Sequence, residues 1–179
     1  GGGMENVSAT ILGASSLTDR REGPRNMASL NAHELGHQWF GDLVTCKSWG
    51  HAWLNESWAT YAQMAYFRHA RGEQAYLREL ADATAQYLAE TRRYKRPIAT
   101  DRYPDGDAMF DSHLYPKGGL VLHTLRKTIG DEGFWAGVKL YLERHRHSPV
   151  ETDQFRRAMT DASGVQLQPF FEQWILKPG

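Results

Sequence analysis

His33-Glu34-Leu35-Gly36-His37 sets two histidines one helical turn apart with a carboxylate beside the first, and Asn55-Glu56-Ser57-Trp58 brings a second carboxylate nineteen residues after His37. Each residue turns an α-helix by about 100°, so His33 and His37 stand about 40° apart and Glu34 lies within about 100° of either. All three side chains can face one small volume. A lone histidine on an apolar stripe is ordinarily a core residue satisfied by carbonyls. Here two imidazoles and a carboxylate share the stripe of Leu30 and Phe40, and burying them together is costly unless something pairs them. A divalent cation does so. The spacing reads as a metal site with a base beside it, of the kind zinc hydrolases use.

Composition limits what such a site can belong to. The 179 residues, 41% of them apolar, suffice for one domain and not for two large ones. Twenty-one basic side chains balance twenty-one acidic ones, so no global field draws nucleic acid or an anionic membrane. Cys46 is the only cysteine, which excludes an internal disulfide and a thiolate metal cluster. No apolar run approaches the roughly 18 residues of a membrane span, and no basic-then-apolar signal segment opens the chain. The expectation is a soluble domain whose compartment stays open, with a slight lean to the cytoplasm. The chain begins Gly1-Gly2-Gly3 rather than with methionine, and the expectation is a piece of something longer.

Outward from the motif, Met4 to Leu12 reads as a strand and the polar run Leu17 to Arg25 as a loop. The first helix is expected from Asn26 to Phe40, with Gly36 permitting close approach of a neighbour. Asp42 to Gly50 forms a connector with a short extended piece at Leu43 to Thr45, and a second helix runs from Trp53 to His69. On it Thr60 stands one turn from Glu56, placed to steady that carboxylate. Trp39, Trp49, Trp53 and Trp58 are expected to pack around the site. A third helix covers Glu73 to Arg93, with Arg92, Arg93, Lys95 and Arg96 at its C-terminal end complementing the helix dipole. That single cluster lacks the interleaved aromatics of a nucleic-acid surface. After a long loop from Pro97 to Ser112, Pro116 suits the first turn of a fourth helix with Tyr115 at its edge, where a phenol can face a cleft. Helices over Asp131 to Arg146, Thr152 to Ala162 and Pro169 to Leu176 complete the chain.

Taken together, Gly2-Gly3-Met4-Glu5-Asn6, His33-Glu34-Leu35-Gly36-His37 with Glu56, and Tyr115-Pro116-Lys117-Gly118 follow, in order, the G-x-M-E-N, H-E-x-x-H-x18-E and Y-x-K-G signatures. The chain therefore resembles the gluzincin family of aminopeptidase N and leukotriene hydrolase. The likeness runs nearly end to end, since Phe170-Phe171-Glu172-Gln173-Trp174 and Lys177-Pro178-Gly179 look like the close of that family's catalytic domain. Gly36 stands where alanine is more usual, a mild departure.

The resemblance implies a mainly α, thermolysin-like catalytic domain over residues 1–179 with a small N-terminal β element. It further implies that the flanking domains usual in the family are absent, and with them part of the substrate pocket. It implies one zinc ion on His33, His37 and Glu56, with Glu34 as the base that activates water and Tyr115 as the donor to the oxyanion. Glu5 would bind the free α-ammonium of a peptide, and Gly2, Gly3 and Met4 would present a strand edge to its backbone. Three rivals stay open: an epoxide hydrolase on the same scaffold, a metal-free domain that kept the fold without the chemistry, and a thermolysin-type endopeptidase. Glu5 weighs against the last, because an internal peptide bond offers no ammonium to bind. Retention of His33, Glu34, His37, Glu56 and Tyr115 weighs against the second.

Overall fold

The computed structural model describes residues 2–14 and 25–178, with no side-chain description at 25 and 26. Of the loop expected over Leu17 to Arg25, residues 17–24 lie outside the described residues, and Arg25 belongs to the first helix. The N-terminal β element is a hairpin rather than one strand: β1 (Gly3–Met4) pairs antiparallel with β2 (Ile11–Leu12), with Gly3 opposite Leu12 and Met4 opposite Ile11. The reversal comes from a turn in which the Ala9 N–H donates to the Asn6 carbonyl (2.9 Å) and Ser8 takes a positive φ of 59°. Neither proline nor a Gly-Pro pair marks this turn, so an uninterrupted run was the natural reading.

Helix α1 (Arg25–Gly36) ends four residues before the expected Phe40. Beyond it the ladder loosens: Asp42, Leu43 and Val44 bond back five residues, to the carbonyls of His37, Gln38 and Trp39. Gly41, at φ 140°, turns the chain into β3 (Val44–Cys46), which pairs parallel with β4 (Ser148–Val150). Helix α2 (Trp53–Arg71) is the central element and buries Trp53, Leu54, Trp58, Ala59, Tyr61 and Met64. Helix α3 (Glu73–Glu90) packs beside it. A single wide turn over His113–Lys117 then leads into α4 (Gly118–His145), which bends at Gly130, φ 79°, where the sequence separates two helices. Helices α5 (Thr152–Ser163) and α6 (Gln168–Trp174) close the core. No helix among the described residues is long and apolar enough to cross a membrane.

Two packing features place the motif. Gly36 sits against α2, where an added Cβ would come 2.8 Å from Ala62 Cβ and 3.3 Å from Ala59 Cα. The absence of a side chain lets α1 lie close enough for its histidines to meet a carboxylate on α2. Phe40 then stacks on Trp58 at a centroid distance of 4.2 Å with the rings 4° from parallel, fixing the segment just after His37. Trp58 also meets Tyr61, Phe134 and Phe155, so the anchor is the aromatic core itself. Of the four tryptophans expected around the site, Trp53 and Trp58 are buried, whereas Trp39 and Trp49 are largely exposed.

Candidate metal centre and active site

The side chains of His33, His37 and Glu56 converge from α1 and α2. The Nε2 atoms of the two histidines are 3.2 Å apart, and Glu56 Oε2 lies 3.2 Å from His33 Nε2 and 3.3 Å from His37 Nε2. His37 Nδ1 faces the Phe40 carbonyl at 2.9 Å and, since a carbonyl can only accept, Nδ1 carries the proton. The lone pair of neutral His37 Nε2 is thereby aimed at a carboxylate oxygen and a second imidazole nitrogen. Only a cation, a proton or a metal, reconciles such a triangle. Zinc bonds of about 2.0–2.2 Å in a tetrahedron separate neighbouring donors by about 3.3–3.6 Å, so the three atoms come close to one face of a zinc polyhedron.

Electrostatics follow the same geometry. Burial works against the charged form of Glu56, yet hydrogen bonds from His33 and His37 hold its carboxyl down at about 2. Burial likewise opposes protonation of His37, but Glu56, with Glu5 beyond it, pushes the imidazole up to about 9. Thr60 takes no part in this. A Cβ at Gly119 would come 3.1 Å from the Thr60 methyl, so Thr60 is a packing residue, and the two histidines themselves orient Glu56.

Glu34 is buried beside the triangle, and burial raises its pKa above the ordinary carboxylate value, with Glu5 and Glu56 adding to the effect against the two histidines. Strand β1 lies directly on it: a Cβ at Gly3 would overlap the Glu34 carboxylate. Glu5 reaches the same place from the hairpin, with Oε1 3.8 Å from His37 Nδ1. A cavity of about 470 Å³ is lined by Gly2, Gly3, Glu5, His33, Glu34, His37, Glu56 and Tyr115, joined by Ser29, Leu30 and Gln63. Met4 is the exception. Alternation along β1 turns it away, into a neighbouring cleft that it shares with Glu5 and Asn6.

The Tyr115 ring stands 6.0 Å from the His33 ring, centroid to centroid, in the turn that precedes α4. Burial raises its pKa, and the carboxylates of Glu56, Glu5 and Glu34 raise it further, so the phenol keeps its proton as a donor. Sequence reasoning missed what holds it. Ser57, next to Glu56, donates to the Leu114 carbonyl at 2.6 Å, and a Cβ at Gly118 would overlap the Ser57 hydroxyl. Arg96, expected to complement the dipole at the end of the third helix, is half-buried and forks onto Asp111. An aspartate just before a helix start was the available signal. Cys46, whose thiol burial pushes up to about 11, offers no nucleophile.

Residues 1–174 match the model of the peptidase family M1 domain. The chain belongs to peptidase family M1. Among its relatives it is 32% identical over 161 residues to aminopeptidase N of Lactococcus lactis subsp. lactis, a match covering 87% of this chain and 19% of that protein. It is 34% identical over 188 residues to the tricorn protease-interacting factor F2 of Thermoplasma acidophilum, covering 99% of this chain and 24% of that one. Solved structures agree in fold. The zinc metallopeptidase of Deinococcus radiodurans, as an E323A mutant bound to a Tyr-Ser-Ala substrate, aligns at TM-score 0.77 with 26% identity over 97% of this chain and 36% of that one. Yeast leukotriene A4 hydrolase bound to bestatin aligns at TM-score 0.87 with 25% identity over 99% of this chain and 30% of that one. The chain thus has the mainly helical M1 catalytic fold, and spans about a fifth to a quarter of the length of the curated relatives it matches.

Proposed function

We propose that residues 1–179 form one catalytic domain of a zinc aminopeptidase, which removes the first residue of peptides bearing a free N-terminus. The observation that carries this is the donor triangle of His33, His37 and Glu56 in one cavity with Glu34, Glu5 and Tyr115. His33, His37 and Glu56 would hold one zinc ion, which when bound supplies Lewis-acid activation of water and of the scissile carbonyl.

The remaining chemistry belongs to this chain's own side chains. Glu34, raised in pKa by burial, takes the proton of the attacking water and returns it to the leaving amine, a general-base role worth about 10²–10⁴-fold. Tyr115 donates its phenolic hydrogen to the oxyanion of the tetrahedral intermediate, a contribution of about 3 kcal/mol for donors of this kind. Glu5 accepts the substrate's α-ammonium and so sets how far a peptide enters. Gly2 and Gly3 leave the edge of β1 bare for the peptide backbone, while Met4 borders the adjacent cleft. The fold likeness to a leukotriene hydrolase keeps epoxide opening as the second reading.

The test is turnover of aminoacyl-anilides by zinc-reconstituted protein, alongside Glu34→Gln and N-acetylated substrates. We expect hydrolysis of free substrates, loss of at least about 10²-fold in the variant, and little cleavage of blocked ones. Equal rates for wild type and variant would remove Glu34 from the mechanism, and equal rates on blocked substrates would remove Glu5. Turnover of a lipid epoxide with inert anilides would favour the second reading.

A further inference from the structure

Asp111 lies four residues before Tyr115, and its carboxylate is where three parts of the chain meet. Oδ1 accepts the backbone N–H groups of His113 at 2.9 Å and Leu114 at 3.0 Å. Arg96 grips both oxygens, with Nε 2.8 Å from Oδ2 and Nη2 2.7 Å from Oδ1. The Tyr94 hydroxyl donates to Oδ2 at 2.6 Å. The guanidinium is in turn fixed by the carbonyls of Pro97 at 2.7 Å, Ile98 at 3.1 Å and Met109 at 2.8 Å. Burial alone would raise the Asp111 carboxyl, but hydrogen bonds from His113, Arg96 and Tyr94 hold it well below the usual carboxylate range. It stays ionised and saturated.

The consequence falls on the backbone of one residue. Leu114, the residue before Tyr115, has its N–H held by Asp111 and its carbonyl held by Ser57 from α2. The neighbouring carboxylate Glu90 and buried His113 do not turn this cluster into a cation site. His113 Nε2 accepts the Arg96 backbone N–H at 3.4 Å, so Nδ1 carries the proton, and it lies 3.3 Å from a carboxylate oxygen of each of Glu90 and Asp111. Arg96 already supplies the positive charge.

We propose that Asp111, held by Arg96 and Tyr94, is a positioning residue that fixes the backbone at Leu114 and thereby aims the Tyr115 phenol into the metal cleft. The inference rests on the donor role given to Tyr115 above. It is tested with Asp111→Asn in the zinc-reconstituted chain, alone and combined with Tyr115→Phe. A misplaced catalytic group costs up to about 10²-fold, so kcat falls about 10-fold to 100-fold while KM and zinc content hold. In the Tyr115→Phe background the same substitution changes kcat less than about twofold, because the group it acts through is gone. An equal loss in both backgrounds overturns the proposal.

A readout independent of turnover is the nuclear Overhauser effect between the rings of Tyr115 and His33 in tyrosine-labelled protein. Asp111→Asn weakens it if the proposal holds, and an unchanged signal overturns it. Should Tyr115→Phe leave turnover intact, the donor role of Tyr115 fails, and this signal still judges the positioning. If Asp111→Asn does not fold, Tyr94→Phe removes a single hydroxyl from the same carboxylate. A weakened Tyr115–His33 signal in that variant supports the proposal, and a wild-type signal overturns it.

Discussion

Acid and alkali should each weaken the metal-free protein through one ion pair. Glu56 has a folded pKa of about 2 against an ordinary 4.5, a gap of about 2.5 units. At about 1.4 kcal/mol per unit, and with only 11% of the Glu56 side chain exposed, the carboxylate contributes about 3 kcal/mol at neutral pH. Because the folded value is the lower one, this stability is present above about 4.5 and lost as pH falls toward 2. His37 reports the same pair from the other side. Its folded value of about 9 exceeds the ordinary 6.5, so the contribution is complete below about 6.5 and lost as pH rises through 9. The two losses bracket one interaction and are not added. Urea denaturation of metal-free wild type and Glu56→Gln from pH 3 to 9 isolates it: the difference in stability peaks near pH 5 to 6.5 and shrinks on both sides. With saturating zinc the alkaline loss disappears, since neutral imidazole is the ligand form. A wild-type advantage that stays constant from pH 3 to 9 would refute the pairing.

Other consequences follow from the packing around the motif. Gly3→Ala places a methyl group on the Glu34 carboxylate, a flexible group that yields by turning aside. Turnover should drop about 10²-fold with folding stability and zinc content nearly unchanged, and retained turnover would show that β1 does not press on the base. Phe40→Ala removes the ring stacked on Trp58 and loosens the carbonyl that orients His37. Urea denaturation should show a loss of about 3–5 kcal/mol, and competition with a chelator should show weaker zinc binding. Unaltered zinc affinity in a destabilised Phe40→Ala would separate the aromatic anchor from the metal centre.

Much of the fold, and the grouping of the candidate site's side chains, was legible in the sequence because the relevant signals are local. A 3.6-residue period brings His33 and His37 to one face whatever surrounds them, and Gly36 signals close approach because glycine is costly inside a helix. The break at Gly130 and the start of α4 were legible for the same reason. What was not legible depends on contacts between distant residues. The end of α1 at Gly36 is decided in part by Phe40 reaching Trp58, which is a contact between distant residues and not a local preference. The hairpin at Asn6 to Ala9 uses no proline and no glycine. Arg96 and Asp111 are fifteen residues apart, and a charged side chain carries no local mark telling whether it meets water or a buried carboxylate. Met4 illustrates the reverse: a motif residue whose position in the chain is clear and whose direction is set by strand alternation.

The triangle of His33, His37 and Glu56 is the feature on which the proposed chemistry turns. The direct measurement is zinc content by elemental analysis after reconstitution and removal of excess metal, for wild type and for Glu56→Ala. We expect one zinc per chain in the wild type and a large loss in the variant. No zinc in correctly folded wild type, or equal zinc in both proteins, would contradict it.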